Sequence, residues 1–186
     1  LVVDCAQTGG ILPLNASELG LAALCFTGHK GLFGPQGTGG IVWKPEFAEQ
    51  CSPLMEGGTG SLSHEETQPD VMPDKFEAGT SNLPGFAGLD AALDWIDRTG
   101  IEAIREREEK LGARLEEGLL SIKGLRLLGS ARGESPRLPV YAFNVDGKDN
   151  GEFANDLSMT YGIEDGPACT ARRSRTGRSE PSPKER

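Results

Sequence analysis

Three short, unbroken apolar runs constrain the fold most: Leu1-Val2-Val3, Leu24-Cys25-Phe26 and Ile41-Val42-Trp43. Runs this brief, without polar alternation, suit strands of a sheet covered on both faces. Gly39-Gly40 lead into the third run, and Pro45 ends it because proline cannot donate to a ladder. Between the first two runs lie a loop through Gly9-Gly10 and Pro13 and a short turn or helix at Asn15-Ala16-Ser17-Glu18.

What leaves these strands is chemically specific. The first run ends on Asp4, with Ala6-Gln7 just behind it; the second runs into Thr27-Gly28-His29-Lys30-Gly31-Leu32-Phe33-Gly34-Pro35. An acid, an amide, a hydroxyl, an imidazole and an amine are thereby set to converge on one sheet edge. Taken singly each has a bland reading: Asp4 as a turn residue or helix cap, His29 as the partner of a backbone carbonyl.

Residues 52–82 read as mostly irregular, with two glycine-threonine clusters, Gly57-Gly58-Thr59-Gly60-Ser61 and Phe76-Glu77-Ala78-Gly79-Thr80-Ser81-Asn82. A long irregular stretch inside a compact domain is usually functional or disordered, and the two clusters favour function. Phe86, Leu89, Leu93 and Ile96 then repeat at helical spacing up to Gly100, and residues 101–122 continue as a long amphipathic helix with Ile104, Leu111, Leu115, Leu119 and Ile122 on one face. Strands are expected at 124–128 and 138–145 and a helix at 152–161, a small α+β unit. Trp43 and Trp95 read as packing residues, and His64 as a solvated loop histidine.

With 37% hydrophobic residues among 186, the chain fits one ordinary domain or a piece of a larger one. A formal net charge of −9 argues against nucleic acid or an anionic membrane as partner, because phosphate neutralisation needs clustered Lys and Arg. No apolar run approaches the roughly 20 residues of a membrane span and no signal segment opens the chain, so a cytoplasmic location is the expectation. Cys5, Cys25, Cys51 and Cys169 form no C-x-x-C pair, so neither a metal site nor a disulfide framework is expected.

A lysine in a glycine-lined loop is the residue type that forms a Schiff base with an aldehyde cofactor. Pyridoxal 5'-phosphate also needs a carboxylate at its pyridine nitrogen and donors for its phosphate. Asp4 can supply the first, Gln7 can hydrogen-bond the ring oxygen, and Thr27, His29 and nearby amides can hold the phosphate.

Taken together, Val3-Asp4-Cys5-Ala6-Gln7, Thr27-Gly28-His29-Lys30, Gly34-Pro35-Gln36-Gly37 and the two glycine-threonine clusters resemble the class V aminotransferase family. Its cysteine desulfurase and selenocysteine lyase branch is the most similar, and the resemblance runs from residue 1 to about 163. It implies an α/β fold: the C-terminal part of the large domain of a PLP-dependent transferase (fold type I), with a mainly parallel sheet, over residues 1–98, and a small α+β domain over 101–163. It implies Lys30 as the Schiff-base lysine and proton shuttle, Asp4 at the pyridinium nitrogen, Gln7 at the ring oxygen, and Thr27 and His29 at the phosphate. Thr59 would reach the phosphate of the neighbouring subunit in a homodimer. The implied reaction takes L-cysteine, or a related amino acid, to alanine and an enzyme-bound persulfide, with a sulfur-acceptor protein as a possible partner. A class V aminotransferase or epimerase, and a non-catalytic truncated product, are the alternatives.

The resemblance stops at Tyr161-Gly162-Ile163. From Gly166 to Arg186 the chain has six basic residues, two acids and only Ala168, Cys169 and Ala171 apolar, so residues 164–186 are expected to be disordered. GC-rich codons for residues 168–177, read in a shifted frame, give Leu-His-Cys-Ala-Pro-Leu-Ala-His-Arg, the segment the family would carry here. The tail is therefore expected to be out-of-frame translation, and Cys169 is not taken as the catalytic cysteine. The family's N-terminal half, with its phosphate-binding turn, is also not in this sequence, so the chain is expected to be an inactive fragment.

Overall fold

The computed structural model describes residues 1–62, 64–129, 137–164 and 166. The expected out-of-frame tail, with Cys169, lies almost wholly outside them. Two compact units emerge, Leu1–Arg107 and Glu108–Arg186.

The first unit is built on strands β1 (Val2–Asp4), β2 (Ala23–Thr27) and β3 (Gly39–Trp43), ordered β1-β2-β3. β1 and β2 are parallel, with Asp4 opposite Cys25; β2 and β3 are antiparallel, with Thr27 opposite Gly39. Parallel pairing thus holds for one of two pairings, where the sequence suggested a mainly parallel sheet. The connections explain this: residues 5–22 cross over, whereas residues 28–38 turn straight back, which only an antiparallel neighbour permits. Cover on both faces is likewise limited to the central strand. Ala23 and Leu24 of β2 are buried, while Val2, Ile41 and Val42 on the flanking strands are exposed. Cys5, Leu21 and Leu24 form a small core, with Val3, Ala16 and Phe26 packed against it.

Proline at the first helical position opens the short helix α1 (Pro45–Ala48), where its missing N–H is not needed. Trp43 stacks on Phe76 with ring centroids 4.8 Å apart and lies 5.9 Å from Phe47, so this tryptophan is a packing residue. Among the described residues of 52–82 the regular piece is a 3₁₀ turn at Asp74–Phe76, and side-chain and backbone hydrogen bonds hold the rest. Helix α2 (Leu83–Thr99) starts at Asn82, whose side chain accepts from Gly85 N. Leu89 and Ile96 are its buried apolar positions. Gly100, at φ 85°, ends it, because that backbone conformation favours glycine.

Helix α3 (Ile101–Ser121) follows immediately. Its expected apolar face is only partly used: Ile104 is buried, but Leu111, Leu115 and Ile122 are about half exposed. Within the second unit the buried positions of α3 are Gly112 and Glu116. Gly112 offers no side chain, so Pro139 and Tyr141 approach, and the Tyr141 hydroxyl lies 2.8 Å from the Gly112 carbonyl and 3.3 Å from Glu116 Oε2. Close approach and a hydroxyl partner, rather than hydrophobicity, select this face.

The second unit pairs β4 (Leu125–Leu128) with β5 (Ala142–Val145) antiparallel. β5 is shorter than the expected 138–145 strand, as Pro139 cannot donate to a ladder. Helix α4 (Asn150–Tyr161) begins two residues before the expected start because the Asp149 side chain accepts from Gly151 N at 2.8 Å and Glu152 N at 3.1 Å. Phe153 of α4 meets Phe143 of β5 edge-on at 6.3 Å. Among the described residues no helix is long and apolar enough to cross a membrane.

Candidate active site

Because β1 and β2 are parallel and in register, their C-terminal ends open on the same edge of the sheet. Loops at the carboxyl ends of parallel strands are where α/β proteins build ligand sites. Asp4 closes β1, and its Oδ1 accepts from Ala6 N at 2.8 Å, leaving Oδ2 without a partner among the described residues. That bond turns the chain into the Gln7 loop. Asp4, Gln7, His29 and Lys30 are all exposed.

The Lys30 loop is held by its own backbone. Gly28 N donates to Thr38 O at 2.9 Å, Gly34 N to Gly28 O at 2.7 Å and Phe33 N to Lys30 O at 2.9 Å. Thr38 is buried and donates its hydroxyl to Pro35 O at 2.6 Å. Phe33 sits at φ 57°, a left-handed conformation that costs a non-glycine residue roughly 1–3 kcal/mol, and its ring meets Trp95 edge-on at 5.2 Å. Leu89 of α2 lies against Gly28 and Gly34, where an added Cβ would come within 3.2 and 2.8 Å of its methyl. The loop is therefore clamped onto α2 through positions that tolerate no side chain.

Thr27 and His29 act as a pair, with Thr27 Oγ1 and His29 Nδ1 3.0 Å apart. The Gln7 and Lys30 loops touch through backbone alone: a Cβ on Gly10 would collide with Gly31, and one on Gly31 with Gly9. Asp4, Gln7, Thr27, His29 and Lys30 thus belong to two neighbouring loops at one sheet edge.

Thr59 lies elsewhere in the first unit, in the first of the two glycine-threonine clusters. It is 9% exposed, in a loop whose Gly57 carbonyl accepts from Gly79 N at 2.9 Å. The two glycine-threonine clusters are therefore joined to each other. Sequence reasoning passed over the residues that fix them. Gln68 bonds both, Asn82 caps α2 and donates to Gly37 O at 3.3 Å, and Lys75 is buried. The available signal was an Asn immediately before a helical pattern with proline in its first turn. His64 lies 3.5 Å from Glu65 and its side chain is 75% exposed, so it is a solvated histidine as expected. No group of three or more His, Cys, Asp or Glu suited to a metal occurs among the described residues.

A strand-end lysine loop beside a strand-end acid, on an α/β sheet, suits a cofactor that forms a Schiff base. The chain belongs to the aminotransferase class V family, whose model matches residues 1–178. It is similar to a probable cysteine desulfurase of Xylella fastidiosa, 37% identical over 165 residues, which covers 88% of this chain and 38% of the relative. Among solved structures, the apo cysteine desulfurase of Thermococcus onnurineus NA1 aligns with a TM-score of 0.74 and 34% identity, over 88% of this chain and 40% of that one. The cystine C-S lyase C-DES, solved with its reaction product cysteine persulfide, aligns at 0.68 and 26% identity, over 82% of this chain and 40% of that one. A further C-DES structure, at TM-score 0.66 with the same identity and coverage, holds glycine covalently linked to the pyridoxal phosphate cofactor. The chain spans about 40% of the length of these relatives. The fold is thus that of fold-type-I pyridoxal phosphate enzymes.

Proposed function

We propose that this chain carries the lysine-bearing part of a pyridoxal-phosphate-dependent cysteine desulfurase, which converts L-cysteine to alanine and leaves the sulfur as a persulfide on an enzyme thiol. The observation that carries the reading is the meeting of the Gln7 and Lys30 loops through Gly10 and Gly31, beside the carboxylate that ends β1. The residues fit the cofactor's chemistry. Asp4 keeps one carboxylate oxygen free for a protonated ring nitrogen, and a negative group there favours that proton. Gln7 is exposed and can donate to the ring oxygen.

Thr27 and His29, 3.0 Å apart, present a hydroxyl and an imidazole to one phosphate, and Thr59 serves the phosphate of a neighbouring subunit in a homodimer. Pyridoxal phosphate, when bound, supplies an electron sink for the substrate's α-carbon. The Lys30 amine makes no ion pair or hydrogen bond among the described residues, so it is available to bind the cofactor and to carry a proton to and from the substrate. Cys5 is buried beside Leu21 and Leu24 and belongs to the core, not to sulfur transfer. Similarity to proteins named as cysteine desulfurases supports the choice of L-cysteine over other amino acids. A sulfur-acceptor protein belongs to the same proposal.

Titrating the full chain with pyridoxal phosphate tests the reading. Visible absorbance should appear in the wild type and be lost in Lys30→Ala; equal absorbance in both would overturn the assignment of Lys30. Adding L-cysteine and a thiol reductant to the whole enzyme of which this chain is the lysine-bearing part then asks for alanine and sulfide in equal amounts. Transamination without sulfide would move the protein to the aminotransferases.

A further inference from the structure

We propose that Gln68 is a positioning residue for the phosphate end of the site, holding the 57–61 loop in place; this rests on the reading of Thr59 given above. The described residues of 52–82 contain no strand to order them, yet one half-buried amide bridges three distant points of this stretch. Gln68 Oε1 accepts from Gly57 N at 3.0 Å, and its Nε2 donates to Asp74 O at 2.6 Å and to Glu77 O at 3.2 Å. One N–H donor and two carbonyl acceptors around it fix which way the amide points.

Gly57 is then held on both sides, its N–H by Gln68 and its carbonyl by Gly79 N at 2.9 Å. Gly58 packs so closely on Gly79 that an added Cβ would lie 3.0 Å from its Cα. Thr59 follows directly and is 9% exposed. Pro69, next to Gln68, is buried. The pattern calls for an amide: a carboxylate cannot donate to two carbonyls, and an amine cannot accept from Gly57. Among the described residues Gln68 makes no hydrogen bond to Thr59 or to any proposed cofactor contact, and it acts through the backbone it fixes.

The test compares the full-length wild type with Gln68→Met, which keeps length and apolar volume, and with Gln68→Ala. Hydrogen exchange is followed by mass spectrometry in peptides covering residues 56–61 and 77–80, alongside pyridoxal phosphate titration. In both variants exchange in these two segments should rise about tenfold while peptides from β1, β2 and β3 stay unchanged. Cofactor affinity should fall about tenfold, with the Lys30-dependent absorbance at saturation unaltered. Wild-type exchange in Gln68→Met would overturn the proposal, as would exchange rising equally in the strands, or unchanged cofactor affinity with a loosened loop. If the wild type itself shows no Lys30-dependent absorbance, the cofactor reading fails and takes the role at the phosphate with it, while the exchange result still decides whether Gln68 holds the loop.

Discussion

Gly10 and Gly31 meet backbone to backbone, so closely that a side chain on either would overlap the other's loop. Gly10 also sits at φ 84°, where an L-residue loses roughly 1–2 kcal/mol. Gly10→Ala should therefore destabilise the first unit by about 3 kcal/mol or more, adding a backbone collision to the conformational cost. Gly60→Ala is the control, since an added Cβ meets nothing within 4 Å there, and its effect should stay within about 0.5 kcal/mol. Guanidinium unfolding midpoints at unchanged slope measure both. Equal midpoints for the two variants would show that the loops do not touch in solution.

Asn82 ties the second glycine cluster to α2. Its Oδ1 accepts from Gly85 N at 3.1 Å and its Nδ2 donates to Gly37 O at 3.3 Å. Asn82→Ala should cost about 1–2 kcal/mol through the lost cap. Asn82→Asp keeps the cap acceptor and adds a negative charge at a helix N-terminus, so it should cost less than about 1 kcal/mol. The order Ala worse than Asp in thermal unfolding is the check; the reverse order would make the Gly37 contact the dominant one.

The strands were legible because Leu24-Cys25-Phe26 and its two companions are short continuous apolar runs, with an acid, a glycine or a proline within two residues of their ends. The placement of Asp4 and Lys30 at one sheet edge was legible for the same reason, since Asp4 follows its run directly and Lys30 lies four residues after Phe26. The direction of β3 was not, because apolar runs carry no sign of strand direction; the connection 28–38, too short for a crossover, sets it. The buried face of α3 was misread because Leu111 and Leu115 carry the helical period while Gly112 and Glu116 carry the contacts. Periodicity counts apolar side chains and cannot register a glycine chosen for close approach or a buried glutamate beside a tyrosine hydroxyl. Gln68 escaped for a related reason: its three partners lie six to eleven residues away and are all backbone atoms, which any sequence would supply.

Tyr141 offers a test of that glutamate-bearing face. Its hydroxyl proton serves the Gly112 carbonyl at 2.8 Å, with Glu116 Oε2 at 3.3 Å. Tyr141→Phe keeps the ring, over which the Arg137 guanidinium lies at 4.6 Å, and removes only the hydroxyl. The second unit should lose about 1–1.5 kcal/mol. Faster hydrogen exchange confined to residues 112–116 and 141–145 would accompany it, whereas an unchanged unfolding midpoint would mean that water replaces the hydroxyl at no cost.

Lys75 and Asp70 form an ion pair of unequal halves: the amine lies 3.0 Å from Asp70 Oδ1, yet the lysine side chain is 8% exposed and the aspartate 93%. An exposed carboxylate contributes little to a pair because water solvates it equally well alone, so Asp70→Asn should change stability by at most about 1 kcal/mol. Lys75 has more to lose. Its stem is buried, its amine lies 5.7 Å from the Phe76 ring centroid, and it reaches Glu49 O at 3.4 Å. Lys75→Ala should therefore cost about 2 kcal/mol through lost packing beside the Trp43–Phe76 stack. Lys75→Met restores the stem without the charge and should recover most of that loss. If Lys75→Met is as damaging as Lys75→Ala while Asp70→Asn is silent, the amine's bond to Glu49 O, and not the buried stem, is what the first unit depends on.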